Sequence, residues 1–215
     1  MIKAIIFDFD GVILDSTKIK TDAFVDIFKH KHSEYLPEIL DHHQNHLGIS
    51  RSNKLRIYFE DIIKIKLTNF KLQNFIQLFS DYCLNRILNC NFIPGARQFI
   101  VNNHKSYKFF ISSGTPTKEL KYICKYRKLD MYFHRIYGSP QKKSTHIKRI
   151  KKIYKLKSNE IIFLGDGMSD YKAAKENKLN FIGINYKNNL NITDRILIKD
   201  LKNFKNILKS NKYAK

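Results

Sequence analysis

Ile2-Lys3-Ala4-Ile5-Ile6-Phe7-Asp8-Phe9-Asp10-Gly11-Val12 decides how the rest of the chain is read. Residues 2–8 are short, apolar and rich in β-branched side chains, and they end in acid. That pattern predicts a buried strand. Asp8 and Asp10 lie two residues apart just past it. Both carboxylates can reach one site if the strand unwinds there, and Gly11 permits the sharp bend.

Beyond this strand the pattern changes. From 17 to 90 the chain has helical periodicity and almost no Gly or Pro. Ala23, Phe24, Ile27 and Phe28 form one stripe at i, i+3, i+4 spacing. Leu55, Tyr58, Phe59, Ile62 and Ile63 form a second, and Phe75, Ile76, Phe79, Tyr82 and Cys83 a third. Three or four helices are expected here. Pro94-Gly95 then punctuates the chain, and a short helix is expected over 96–104.

Strand and helix alternate from there on. Strands are predicted at 107–112, 135–137, 160–164, 180–184 and 195–198. Helices are predicted at 117–128, 144–154, 169–177 and 201–210. Such alternation argues an α/β fold, a parallel sheet with helices on both faces, interrupted by a helical insert. Ligands bind such sheets at the carboxyl ends of the strands.

Four strand ends carry polar residues. The first holds Asp8 and Asp10. The second is Ser112-Ser113-Gly114-Thr115, where a hydroxyl and backbone N–H groups can meet an anion. The third, Gly138-Ser139-Pro140-Gln141-Lys142-Lys143, supplies an ammonium. The fourth, Gly165-Asp166-Gly167-Met168-Ser169-Asp170, adds two carboxylates before a helix. Four ionised acids at one site would repel strongly. A hard divalent cation resolves that, and an all-oxygen donor set suits Mg2+ better than zinc. The cation and a lysine could then bind a dianionic phosphate. One carboxylate would remain to attack phosphorus and another to move a proton.

In order and spacing, DFDGVILDS, the hydroxyl after FFIS, the lysine of GSPQKK and GDGMSD resemble the haloacid dehalogenase superfamily. The resemblance covers essentially the whole chain, and the insert resembles the helical cap of its phosphoglycolate-phosphatase and β-phosphoglucomutase branch. It implies a Rossmann-like core at 1–16 and 91–215 and a cap at 17–90. It also implies a Mg2+-dependent phosphatase of a small phosphorylated metabolite, such as a sugar or polyol phosphate. Asp8 would be the nucleophile. Asp10 would be the general acid/base, with a proton affinity nearer the working pH than a free aspartate's, and its main-chain carbonyl would ligate the metal. Ser113 (or Ser112) and Gly114 would bind phosphate together with Lys143 (or Lys142). Asp8, Asp166 and Asp170 would complete the metal site. Gly48-Ile49-Ser50-Arg51 resembles the cap's specificity loop, so Arg51 would bind a second anionic group, or else lie on the surface beside an N-cap at Ser50. The acid at position 10 argues against a dehalogenase, which lacks it and needs no metal. A phosphomutase of the β-phosphoglucomutase type is the alternative, but related mutases carry a histidine where Lys20 stands.

The composition limits what else the chain can be. Its 215 residues carry a net charge of +21, from 40 basic and 19 acidic residues. Of the basic residues 32 are Lys, spread from Lys3 to Lys215 rather than clustered. The excess therefore reads as compositional drift that aids anion capture, and neither nucleic acid nor membrane is expected as a partner. A basic nucleic-acid-binding protein on a recruited fold is the alternative from another class. The three cysteines, Cys83, Cys90 and Cys124, have no paired spacing, so a disulfide scaffold is not expected and a reducing cytoplasm is. The apolar start meets Asp8 and Asp10 too soon to read as a signal peptide. His42 and His46 share the i, i+4 spacing of a metal pair, but solvated or packing roles are expected for them. Oligomeric state, monomer or dimer, is not written in the residues.

Overall fold

A computed structural model describes residues 1–186 and 196–209. The strand expected at 2–8 is β1 (Ala4–Phe7), with every residue buried. The chain then passes through α1 (Thr17–Phe28), α2 (Leu36–Asn45), α3 (Arg51–Arg56) and α4 (Asn69–Asn89). After α5 (Ala96–Asn103) it alternates: β2 (Lys108–Pro116), α6 (Thr117–Tyr126), β3 (Arg135–Ser139), α7 (Lys143–Tyr154), β4 (Ile161–Gly165), α8 (Met168–Glu176), β5 (Asn180–Ile184), β6 (Ile196–Ile198) and α9 (Phe204–Lys209). Residues 195 and 210, included in the last two expected elements, lie outside the described residues.

The six strands form one sheet in the order β3-β2-β1-β4-β5-β6, every pairing parallel. This is the Rossmann-like strand order, with β1 at its centre. Phe7 stands opposite Ile111 on one side and Leu164 on the other. The acid-bearing turn after β1 therefore sits between the ends of β2 and β4.

Side-chain alternation divides the core into two layers. Ile5, Phe7, Phe109, Ile111, Ile162 and Leu164 face the cluster shared with α5, α6, α9 and the helical insert. Ala4, Ile6, Phe110, Ile161 and Phe163 face α7 and α8 through Ile147, Ile150, Ala173 and Ala174. Both faces are covered, which is why β1 is apolar without alternation.

The insert buries its own stripes. Phe24 packs on Tyr58, Phe79 and His43, at centroid separations of 5.2, 4.7 and 5.0 Å. The second stripe departs from a simple helix. After α3 the chain widens into a π-helical segment at Ile57–Ile62, where Ile63 N–H donates to Tyr58 O, five residues back, at 2.9 Å. The wider turn still buries Leu55, Tyr58, Phe59 and Ile63. No helix among the described residues is long and apolar enough to cross a membrane.

Candidate active site

Asp8 leaves β1 buried, 2% exposed. Its backbone still holds the sheet, because Asp8 N–H donates to Leu164 O at 2.8 Å. One carboxylate oxygen accepts from Phe9 N–H at 2.7 Å. The other accepts from Lys143 Nζ at 2.8 Å. The same ammonium donates to Asp170 Oδ1 at 2.6 Å, and Asp170 Oδ2 accepts from Gly167 N–H at 3.2 Å. Carboxylate oxygens of Asp8, Asp166 and Asp170 lie within 4.8 Å of one another. The turn that allows this depends on Gly11. Its φ is +77°, and a Cβ there would lie 1.9 Å from Asp166 Oδ2.

The charges respond to this crowding. Burial drives the Asp166 carboxyl well above the usual carboxylate range, and Asp8 and Asp170 add to the rise. Burial, then Asp8, raises Asp170 to about 7 against the pull of Lys143. Burial alone would lower Lys143, but Asp170 and Asp8 outweigh it and raise its pKa. Among the described residues no donor bonds the Asp166 carboxylate, and one ammonium faces three acids. An all-oxygen cluster with this charge excess suits a hard divalent cation.

The two alternatives at each uncertain register lie in different places. Lys143 points into the cluster while Lys142 is exposed. Ser113 and Gly114 line a groove of about 420 Å3 together with Lys143. Ser112 is turned the other way, bonding His146 Nδ1 at 2.9 Å. The helix after the lysine begins at Lys143, one residue earlier than expected.

Asp10 departs from expectation. Burial pushes its pKa up, but the Lys20 ammonium beside it, helped by Ser16 and Thr115, holds it below the ordinary value. Lys20 Nζ bonds Asp10 Oδ2 and also Thr115 Oγ1, the latter at 2.8 Å. Ser16 Oγ donates to Asp10 Oδ1 at 2.6 Å, and Thr115 Oγ1 donates to Oδ2 at 3.0 Å. A group so bonded is poised as a carboxylate rather than as an acid. Lys20 and Thr115 were not assigned to this role from sequence. The signals in the sequence were that Lys20 stands where related mutases carry a histidine and that Thr115 closes the second strand-end segment.

Arg51 departs from one of its two expectations, a place on the surface. Ser50 does cap α3, accepting from Asn53 N–H at 3.4 Å. Arg51, however, is buried rather than on the surface. Its guanidinium donates to Glu119 Oε1 on α6 at 2.6 Å and to Ser80 Oγ at 2.5 Å, and it lies over Phe79. It lines the cavity at Asp8 with its charge already paired.

That cavity is small, about 50 Å3, and the insert forms its outer wall. The loop between α2 and α3 rests on the strand ends: Ser169 Oγ donates to Leu47 O at 2.8 Å. A Cβ at Gly48 would lie 2.6 Å from Lys143 Nζ and 2.2 Å from Ser169 Oγ. His42 and His46 stack at 4.1 Å, with His46 Nδ1 on His42 O, and belong to no metal-ligating cluster among the described residues.

A family model described as haloacid dehalogenase-like hydrolase matches residues 5–184. No curated protein matches. Solved structures do. A hydrolase from Pseudomonas syringae is 19% identical, with 97% of this chain and 99% of that chain covered and a TM-score of 0.78. A haloacid dehalogenase-like family protein from Streptococcus pneumoniae is 20% identical, covering 96% and 98% with a TM-score of 0.71. A protein from Haemophilus somnus 129PT described as a "predicted phosphoglycolate phosphatase" is 18% identical, covering 97% and 98% with a TM-score of 0.74. At these identities the likeness is one of fold.

Proposed function

The chain belongs to the haloacid dehalogenase-like hydrolases, and from that premise we propose that it is a Mg2+-dependent phosphatase of a small phosphorylated metabolite. One observation carries this reading: Asp8, Asp166 and Asp170 converge on one point, and Lys143 binds two of them. The carboxylates of Asp8, Asp166 and Asp170, with the main-chain carbonyl of Asp10, would hold the ion. When bound, it would offset the carboxylate charge and polarise phosphoryl oxygens.

The chain's own residues then divide the work. The Asp8 carboxylate attacks phosphorus, the bond to the leaving-group oxygen breaks, and an aspartyl-phosphate forms. Lys143, Ser113 Oγ and Gly114 N–H stabilise charge on the phosphoryl oxygens. Asp10 protonates the leaving oxygen and then accepts a proton from the attacking water, which frees Asp8 and phosphate. For the first of these steps Asp10 must gain a proton against Lys20, so their contact has to loosen as the leaving oxygen arrives. Residues 17–90 serve as a cap over a core of 1–16 and 91–215, keeping bulk water from the intermediate. The free thiols of Cys83, Cys90 and Cys124 fit a reducing cytoplasm.

Phosphate release from a panel of phosphorylated metabolites, with and without Mg2+, tests the reading. Turnover is expected with Mg2+ and not after chelation. Asp8→Asn is expected to lower kcat by about 10⁴-fold or more while leaving the circular dichroism spectrum unchanged. Phosphate release that survives Asp8→Asn would refute the mechanism.

A further inference from the structure

We propose that the free edge of β3 is a docking site for an extended acidic segment of a partner protein, which joins the sheet beside Arg135–Ser139. The site is separate from the acids at the strand ends, none of which lines it, and it does not depend on the reaction assigned to them.

The strand order ends at β3, so among the described residues this strand has a sheet neighbour on one side only. A strand in that position keeps a row of main-chain N–H and C=O groups on its free side, and these can pair with an added strand. A groove of about 580 Å3 is lined by Arg135, Ile136 and Tyr137 in succession. Successive side chains leave a strand on opposite faces. Ile136 accordingly packs against the layer that holds Leu120 and Ile123 of α6, and Tyr137 against the layer that holds Ile147 and Ile150 of α7. A groove that touches all three residues therefore follows the edge of the sheet rather than one face. The five residues of β3 span about 17 Å, which sets the length of segment that can pair with them.

The groove is cationic on both sides of that edge. Lys121 and Lys125 line it from α6, Arg149 from α7 and Arg135 from β3 itself, and Asp130 is the one acid among the described residues that line it. Lys121 and Lys125 stand four positions apart and so share one face of α6. The Arg149 guanidinium lies 5.6 Å from the centre of the Tyr137 ring, on the α7 side. Arg135 donates to the carbonyl oxygen of His134 at 3.0 Å. Among the described residues none of these four cations forms an ion pair.

Charge and backbone together select the occupant. An added strand sends alternate side chains towards the two lysines and towards Arg149, so acids on either of its faces meet a cation. A second copy of this chain does not fit, because β3 laid against β3 would set these cations against one another. The same cations guard a bare edge against unplanned pairing, and an acidic strand is the exception they admit. Peptide is favoured over nucleic acid because the directional N–H and C=O groups of an edge match a second backbone, whereas a phosphate chain would use the cations alone.

The test is fluorescence anisotropy at physiological ionic strength, where salt screens the dispersed basic charge. The probe is a labelled, end-blocked peptide, Val-Glu-Glu-Val-Glu-Glu-Val, which places glutamates on both faces of a strand. Saturable binding with a Kd below about 1 mM is expected, together with slowed amide hydrogen exchange within Arg135–Ser139. Two N-methylated forms of the peptide, each blocking one set of alternate residues, keep its charge. The form that blocks the paired set should bind at least about tenfold more weakly than the other. Lys121→Gln combined with Arg149→Gln should weaken binding about fivefold or more, whereas Lys202→Gln combined with Lys205→Gln, outside the groove, should change it by less than about twofold. If the first pair does not fold, Lys121→Gln combined with Lys125→Gln is read the same way. Absence of saturable binding, equal binding by both N-methylated forms, or equal losses in the two double variants overturns the proposal. Tighter binding of an oligothymidylate of equal charge also overturns it, in favour of a nucleic-acid surface.

Discussion

Lys54 carries its ammonium where burial opposes charge, and that has a consequence for folding. Burial holds its folded pKa at about 7, below the ordinary lysine value of 10.5. Between those values the unfolded chain binds the extra proton, so this residue's contribution to stability rises with pH across that window. In metal-free protein, the stability gained by Lys54→Met over wild type should therefore shrink from pH 7 towards pH 10, by about 1 kcal/mol per pH unit. Urea unfolding of the pair across that range measures it, and a gap that stays constant contradicts the depressed pKa. Nothing in the sequence announces this residue. Lys54 is one of 32 lysines, and its partner His43 lies eleven positions away on another helix. The clustering of Asp8, Asp166 and Asp170 was legible because Asp8 and Asp166 directly follow short apolar strands and Asp170 opens the helix just beyond, with glycine nearby. The proton affinity of Asp10 was not, since it is set by Lys20 on α1, which reaches Asp10 only through tertiary packing.

At the scale of elements, the insert and the core are joined through Arg51 and Glu119. The pair ties α3 to α6, and both side chains are largely buried. Breaking such a pair leaves one charge without its partner, while removing both together costs much less. Arg51→Met and Glu119→Met are each expected to destabilise by about 3 kcal/mol, and the double variant by clearly less than their sum. A thermodynamic cycle from urea melts decides this, and strict additivity would show that the pair does not couple the two helices. The order of strands and helices could be read along the chain because the apolar periods differ so sharply. The tie could not, since Arg51 and Glu119 stand 68 positions apart. The π-helical turn at Ile57–Ile62 was hidden for a related reason: its stripe satisfies ordinary helical spacing, and only the Tyr58–Ile63 bond shows the wider winding.

Over the whole molecule, the charge of +21 favours the approach of anions to the site proposed above. A field of that sign draws phosphorylated substrates inward, and salt screens it over about 8 Å at physiological ionic strength. kcat/KM should fall as NaCl is raised from 20 to about 300 mM while kcat moves little; an indifferent kcat/KM would leave the basic excess without a catalytic role. A last consequence follows from the loop that lies across the strand ends. Gly48 and Gly114 meet there as naked main chain, and a Cβ on Gly114 would come within 2.6 Å of Gly48 O. The cavity at Asp8 and the groove beside it share Gly48, Ile49 and Gly114 in their linings, so this contact stands between them. A single methyl at either edge would force the two segments apart, so both positions need glycine for the loop to lie against the strand end.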